Sequence, residues 1–155
     1  MTQQQTTRQA VLALSPQEAS VPVLRHFADD LLRHWGIAQD DRHSAQLIIG
    51  ELGANVVQHG RADMTMLLTL DETVLRLTVA DSGPVVADRA PQPTVPADER
   101  GRGMGIVEFL AAWTEVRDSD QGRRVRVEMH VRKPQGHEAN STPLECGHLT
   151  RRGRA

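Results

Sequence analysis

Lysine, cysteine and long apolar runs are what this 155-residue sequence most clearly lacks. Lys133 is the only lysine, so the sequence has neither a G-x-x-x-x-G-K-[ST] phosphate loop nor the early strand lysine of eukaryotic-type protein kinases. Cys146 is the single cysteine, which excludes an internal disulfide and a cysteine-based zinc site. Because no apolar run approaches the roughly 20 residues that span a bilayer, and residues 1–10 lack a signal-peptide core, we expect a cytoplasmic protein with no membrane contact.

The composition is that of one globular domain with a tail. Hydrophobic residues make up 39% of the chain and charged residues 25%, which is enough to build a core. The formal net charge of −2 predicts no polyanion-binding surface, so nucleic acid is not an expected partner. We predict a folded domain over 8–132 and a disordered tail over 133–155, where apolar residues are few and show no periodicity.

The apolar periodicity predicts helices and strands in a definite order. Predicted strands occupy 8–14, 64–70, 74–80, 114–117 and 123–132, and predicted helices occupy 20–35, 42–59 and 104–112. Helices on one face of a mostly antiparallel sheet form an α+β two-layer sandwich. The proline-rich segment 85–100 is predicted to be a long loop that acts as a lid.

A polar stripe borders the apolar face of the second predicted helix. Glu51, Asn55 and His59 are spaced four residues apart, so they share one face. A carboxylate and an amide on one face can orient a hydroxyl and hold a magnesium ion. The alternative is an ordinary solvated helix edge. We interpret His59, which stands next to the Gly60 stop, as a favourable cation at the helix C-terminus.

Asp81 follows an alternating apolar strand and begins the sequence D-S-G-P. These four residue types form turns, so one interpretation is a turn that closes the strand. The functional interpretation is a carboxylate that accepts a hydrogen bond from the exocyclic amine of a base, with Gly83 leaving room for that base to approach.

The run GRGMGI at 101–106 places glycine at every second position before a predicted helix. Glycines destabilise a helix that they enter, whereas free amides at a helix N-terminus attract phosphate. The run does not match the dinucleotide-binding fingerprint, because no β-α-β unit surrounds it. It therefore favours a phosphate-binding turn of another kind.

The three stretches together resemble the GHKL ATPase superfamily. ELGANVVQHG at 51–60 is similar to its N box, ADSGP at 80–84 to its first glycine box, and GRGMGIVEFLAAW at 101–113 to its second. Within the superfamily, the closest likeness is to the bacterial anti-sigma-factor serine kinases and related actinobacterial ATP-binding regulators. The resemblance covers roughly residues 10–132 and implies the Bergerat ATP-binding fold.

The resemblance also implies a role for each site residue. Glu51 would be the general base that activates the attacking hydroxyl, and Asn55 would bind the magnesium of Mg-ATP. Asp81 would bind the adenine amine, with Gly83 beside the base. The residues that would line the phosphates are Gly101, Arg102, Gly103, Met104 and Gly105.

The implied partners are a STAS-domain anti-anti-sigma factor, whose serine would be phosphorylated, and a sigma factor. Arg25 matches a first-helix arginine that the family uses for partner contact, although it could equally be a solvated helix arginine. A homodimer is a further expectation from the family.

Three residues depart from the family pattern, and they keep rival functions open. Ala54 stands where threonine is common, Pro84 where another glycine is usual, and we place Arg124 where a threonine commonly lies near the adenine. The first hypothesis is a serine kinase. The second is a non-catalytic module of the same fold that sequesters a sigma factor or antagonist. The third is a stand-alone ATPase domain that serves a histidine-containing phosphotransfer protein.

Overall fold

Five strands and three helices make up the part of the chain that the computed structural model describes, residues 6–86 and 102–133. The strands are β1 (Arg8–Leu14), β2 (Arg61–Asp71), β3 (Val74–Val85), β4 (Trp113–Ser119) and β5 (Gly122–His130). The helices are α1 (Ser20–His34), α2 (Gln39–His59) and α3 (Arg102–Leu110).

The strands form one sheet in the order β1-β2-β3-β5-β4, and each neighbouring pair runs antiparallel. The β2–β3 hairpin turns at Glu72 and Thr73, where Glu72 adopts a positive φ of 51°. Alternate residues of β2, β3 and β5 are buried, among them Met66, Leu77 and Val127. This two-residue period means that one face of the sheet is covered.

The helices cover that face of the sheet. α2 is buried along the apolar stripe predicted from the sequence, and the helix ends at Gly60 in the left-handed conformation (φ 70°). The core joins helix residues such as Leu24 and Ile48 to sheet residues such as Met66 and Leu77 in one cluster. The predicted α+β sandwich is therefore confirmed.

The largest difference from the predicted elements concerns the end of β3. The strand was expected to stop before Asp81, but pairing with β2 continues to Val85 across a bulge near Arg61 and Asp63. The D-S-G-P turn is thus absorbed into the strand as an irregularity, because β2 supplies hydrogen-bonding partners beyond the predicted end.

Two further predictions concern segments that the structure does not describe. The predicted lid over 85–100 includes Val85, which belongs to β3, while residues 87–101 lie outside the described part of the chain. The predicted tail beyond residue 133 lies outside it as well. Among the helices of the described ranges, none has the length and apolarity that crossing a bilayer requires.

Candidate functional site

The first turn of α3 lies directly against Glu51 of α2. A Cβ built on Gly103 would overlap Glu51 Oε2, so the present position of the Glu51 carboxylate depends on the missing side chain. At Gly105, in contrast, an added Cβ would meet no heavy atom within 4 Å. The two glycines therefore differ: Gly103 leaves room for the Glu51 carboxylate, and Gly105 borders open space.

A cavity of about 300 Å³ lies one turn further along α2, lined by Asn55, Gln58, His59, Met104 and Arg123. Its volume is at the lower end of the range of about 300–1,000 Å³ that small-molecule sites occupy. The Asn55 amide makes no hydrogen bond with the described residues. Its oxygen is therefore available to a ligand in the cavity.

Asp81 is a fully buried carboxylate with hydrogen-bonding partners on α2 and β5 and an ion-pair partner on β2. Its side chain has 0% exposure. His59 Nδ1 lies 3.0 Å from Oδ2, the Arg123 backbone N–H donates to Oδ1 at 2.8 Å, and Arg61 Nε lies 3.5 Å from Oδ1. When the carboxylate is ionised it can only accept hydrogen bonds, and His59 then makes this bond with the proton on Nδ1.

The contact with Asp81 corrects the interpretation of His59. A residue expected only to stabilise the helix end instead joins α2 to the interior of β3. The sequence contained one signal for this, because the four-residue spacing puts His59 on the same face as Asn55. The sequence held no signal for the partner, which is brought near by the sheet.

The backbone of the β3 bulge by itself explains why residue 83 is glycine. Its φ is 81°, a conformation that favours glycine, and a Cβ there would lie 3.0 Å from Asp63 Oδ2. Arg61 Nη1 donates to the Gly83 carbonyl at 3.0 Å and so ties the bulge together. The bulge accounts for the glycine whether or not a base approaches it, so its role beside a base stays a prediction.

A second cavity, of about 450 Å³, adjoins Asp81. It is lined by Ala80, Asp81 and Ser82 of β3 and by residues at the ends of β4 and β5, including Arg123. Gly122 begins β5 with a φ of 147°, and a Cβ there would overlap the Asp81 carbonyl oxygen. β5 therefore presses closely on Asp81, which brings the Arg123 amide within hydrogen-bonding reach.

Two adjacent arginines of β5 lie near Asp81, on opposite faces of the strand. Arg124 was assigned to the place of the family's threonine; it lies on the exposed face and lines only the larger cavity. Arg123 lies on the same face as buried Val125 and lines both cavities. The sequence could not distinguish the two arginines because the strand register decides which one points inward.

The remaining predicted residues are placed as follows. Met104 lines the cavity that contains Asn55. Arg102 begins α3, but its side chain and the whole of Gly101 lie outside what the structure describes.

Arg25 is separate from these cavities. It lines a cavity of about 290 Å³ together with His26, Asp29 and Gln46, and its Cδ lies 3.4 Å from a Cβ built on Gly50.

The donors present fit a magnesium ion that is bound mainly by phosphate and water. No group of three or more His, Cys, Asp or Glu side chains within 6–86 and 102–133 could hold a metal by itself. Magnesium in nucleotide sites commonly uses one or two protein oxygens together with phosphates and several waters. The unengaged amide oxygen of Asn55 is a ligand of this kind.

A family model described as the histidine kinase-like ATPase domain matches residues 14–129. This chain belongs to that family. The expected membership of the GHKL superfamily is thereby confirmed, and ATP is the nucleotide that the family implies. No curated protein sequence matches the chain.

One solved structure supports the fold assignment. The RsbU and RsbW domains of Rv1364c from Mycobacterium tuberculosis superimpose on this family member with a TM-score of 0.65 and 17% sequence identity. The match covers 82% of this chain and 33% of that one, so the chain spans about a third of that protein's length. At this identity the likeness concerns the fold alone.

Proposed function

We propose that this histidine kinase-like ATPase domain binds Mg-ATP and phosphorylates a serine of a STAS-domain anti-anti-sigma factor. Transcription would then be regulated by partner switching with a sigma factor. The observation that carries the proposal is the junction of α2 with α3. Glu51 meets Gly103 there, and Asn55 shares a cavity with Met104 one turn away.

Each residue at this junction has a chemical role in the proposal. Asn55 would hold magnesium, which supplies charge neutralisation at the phosphates. Glu51 would accept the proton of the serine hydroxyl while the serine oxygen bonds to the γ-phosphorus of ATP. The bond between the γ-phosphorus and the oxygen that bridges it to the β-phosphate would break at the same time, and ADP would leave. The backbone amides of the first turn of α3 would donate to the phosphates. Asp81 would accept from the adenine amine.

A second candidate function has an observation in its favour. The Asp81 carboxylate is fully buried, and protein donors already contact both of its oxygens. A base that needs this carboxylate would have to share it with His59 and Arg123. That arrangement favours a binding module of the same fold that sequesters a sigma factor or antagonist and binds nucleotide weakly.

Transfer of labelled phosphate separates the two functions. The protein is incubated with γ-labelled ATP, magnesium and a panel of STAS-domain proteins, and labelled serine is sought in each. Glu51→Gln should retain ATP binding and lose transfer, because the amide has no basic site. Glu108→Gln, an exposed change on α3, is the matched control and should transfer normally. A wild-type protein that binds ATP but labels no partner would favour the binding module.

Calorimetry tests the magnesium site independently of transfer. Asn55→Ala should lower the affinity for Mg-ATP about tenfold or more, because the protein ligand of the metal is lost. The same change should affect binding of metal-free ATP much less. Equal losses with and without magnesium would contradict the assignment of Asn55 to the metal.

Arg25 is the residue that we propose for partner contact. Its side chain is exposed and has no ion pair or hydrogen bond with the described residues. Arg25→Ala should weaken binding of the STAS-domain partner while leaving ATP affinity unchanged, since its cavity is separate from that of Asn55. A change in ATP affinity alone would exclude a partner-specific role.

A further inference from the structure

Arg123 is the only residue among the described parts of the chain that lines both cavities beside Asp81. Its main-chain N–H holds Asp81 Oδ1 at 2.8 Å, so its backbone is fixed relative to the carboxylate. Its side chain extends from the helix-covered face of β5, because it shares the two-residue alternation of Val125. The side chain therefore starts beside the carboxylate that is proposed to accept the adenine amine, and it extends along both cavities.

The guanidinium of Arg123 is incompletely satisfied. Its Nε is buried and has no hydrogen-bond partner. The nearest acidic oxygen, Asp118 Oδ1, lies 3.5 Å away in an ion pair without hydrogen-bond geometry, and the Asp118 side chain is 70% exposed. A buried donor without a partner is unfavourable, so an acceptor that reached this guanidinium would be stabilised by it.

We propose that Arg123 is a base-contacting residue that sets specificity for adenine. The amine of adenine stands beside a ring nitrogen, N1, that only accepts hydrogen bonds. Asp81 would accept from the amine, and the Arg123 guanidinium would donate to N1. Guanine presents a carbonyl oxygen and an N–H at the corresponding positions, so it would meet an acceptor with an acceptor and a donor with a donor.

This inference rests on the proposed nucleotide binding and adds a residue to it. The family places a threonine in this region, whereas this chain has a longer, charged side chain with an unsatisfied donor. Arg126 provides a matched control, since it is the same residue type on the opposite face of β5 and lines neither cavity.

The test measures binding of ATP, GTP and 1-deaza-ATP, which lacks the N1 acceptor, to the full chain by calorimetry. Wild type should bind 1-deaza-ATP about tenfold more weakly than ATP, because a charge-assisted hydrogen bond is lost. Arg123→Ala should bind ATP about tenfold more weakly than wild type does. The variant should bind 1-deaza-ATP as tightly as it binds ATP, because the donor to N1 is already gone. Arg126→Ala should behave as wild type with all three nucleotides.

Several results would overturn the inference. Equal binding of ATP and 1-deaza-ATP by wild type would remove the N1 contact, and this measurement does not depend on the folding of a variant. Tighter ATP binding by Arg123→Ala would show that the side chain obstructs the base. Wild type that binds no adenine nucleotide at all would overturn the proposed function and this inference with it, whereas the first two results leave the proposed function standing.

Discussion

Removing His59 tests the buried contact that joins α2 to β3. His59→Ala would leave Asp81 Oδ2 without its hydrogen-bond donor, while Oδ1 kept the Arg123 amide. A hydrogen bond to a charged group contributes about 1.5–3 kcal/mol. The His59 side chain is 35% exposed, so water can replace part of the lost bond. We therefore expect a loss of about 1.5 kcal/mol, the low end of the range.

The loss should be visible in the unfolding of the nucleotide-free protein. A chain of this length shifts its Tm by about 3 °C per kcal/mol, so His59→Ala should melt about 4–5 °C below wild type. Urea unfolding followed by circular dichroism should give the same difference in free energy of unfolding. His43→Ala is the control: this exposed histidine on α2 has no hydrogen bond or ion pair with the described residues, and its loss should stay within about 0.5 kcal/mol.

A double-mutant cycle identifies the partner. If His59 acts through Asp81, the cost of His59→Ala should fall by about 1 kcal/mol in an Asp81→Asn background, because the charged acceptor is gone. An unchanged cost in that background would refute the reasoning, since the stability would then come from His59 packing or from the helix end.

Two further predictions concern helix contacts. Gly105→Ala should raise the Tm, because alanine is about 1 kcal/mol better than glycine in a helix. Gly103→Ala should raise it less, because the Glu51 carboxylate must move aside. Equal increases in Tm by calorimetry would contradict the contact between Gly103 and Glu51. Burial by itself would raise the pKa of Asp29, but the hydrogen bond from Arg42 and nearby arginine charges outweigh it, and the pKa is lowered from 3.8. This carboxylate therefore stabilises the fold above its ordinary pKa, and the contribution is lost as pH falls through the lowered value. In urea unfolding measured at a series of acidic pH values, Arg42→Ala should reduce the fall in free energy of unfolding with decreasing pH. An unchanged pH dependence would exclude a stabilising Asp29–Arg42 pair.

Several features of the site were predictable because they are local. The four-residue spacing of α2 puts Glu51, Asn55 and His59 on one face in any fold that keeps the helix. Glycine at every second position over 101–105 predicted a phosphate-binding turn, which stays a prediction; in the structure Gly103 and Gly105 lie within the first turn of α3. The two-residue alternation along β2 and β3 indicated a sheet with one covered face.

The errors came from features that depend on a neighbouring element. Asp81 was expected at a strand end, but β2 continues to pair beyond it and draws D-S-G-P into the sheet. His59 was expected to serve its own helix, and only the packing of α2 against β3 brings it to Asp81. Arg123 was not singled out beside Arg124, because only the strand register shows that the two adjacent arginines lie on opposite faces.

The sequence by itself determined the elements, the polar stripe of α2 and the family. Helix and strand periods, the N box and the two glycine boxes are local patterns that depend only on the order of residues. The tertiary structure alone decided that Asp81 is a buried acceptor shared by His59, Arg61 and Arg123, and that Arg123 faces the cavities. A contact across 42 residues, such as that of Arg123 with Asp81, depends on strand register. Register is set by pairing between strands, and a shift of one residue would exchange the inward and outward arginines.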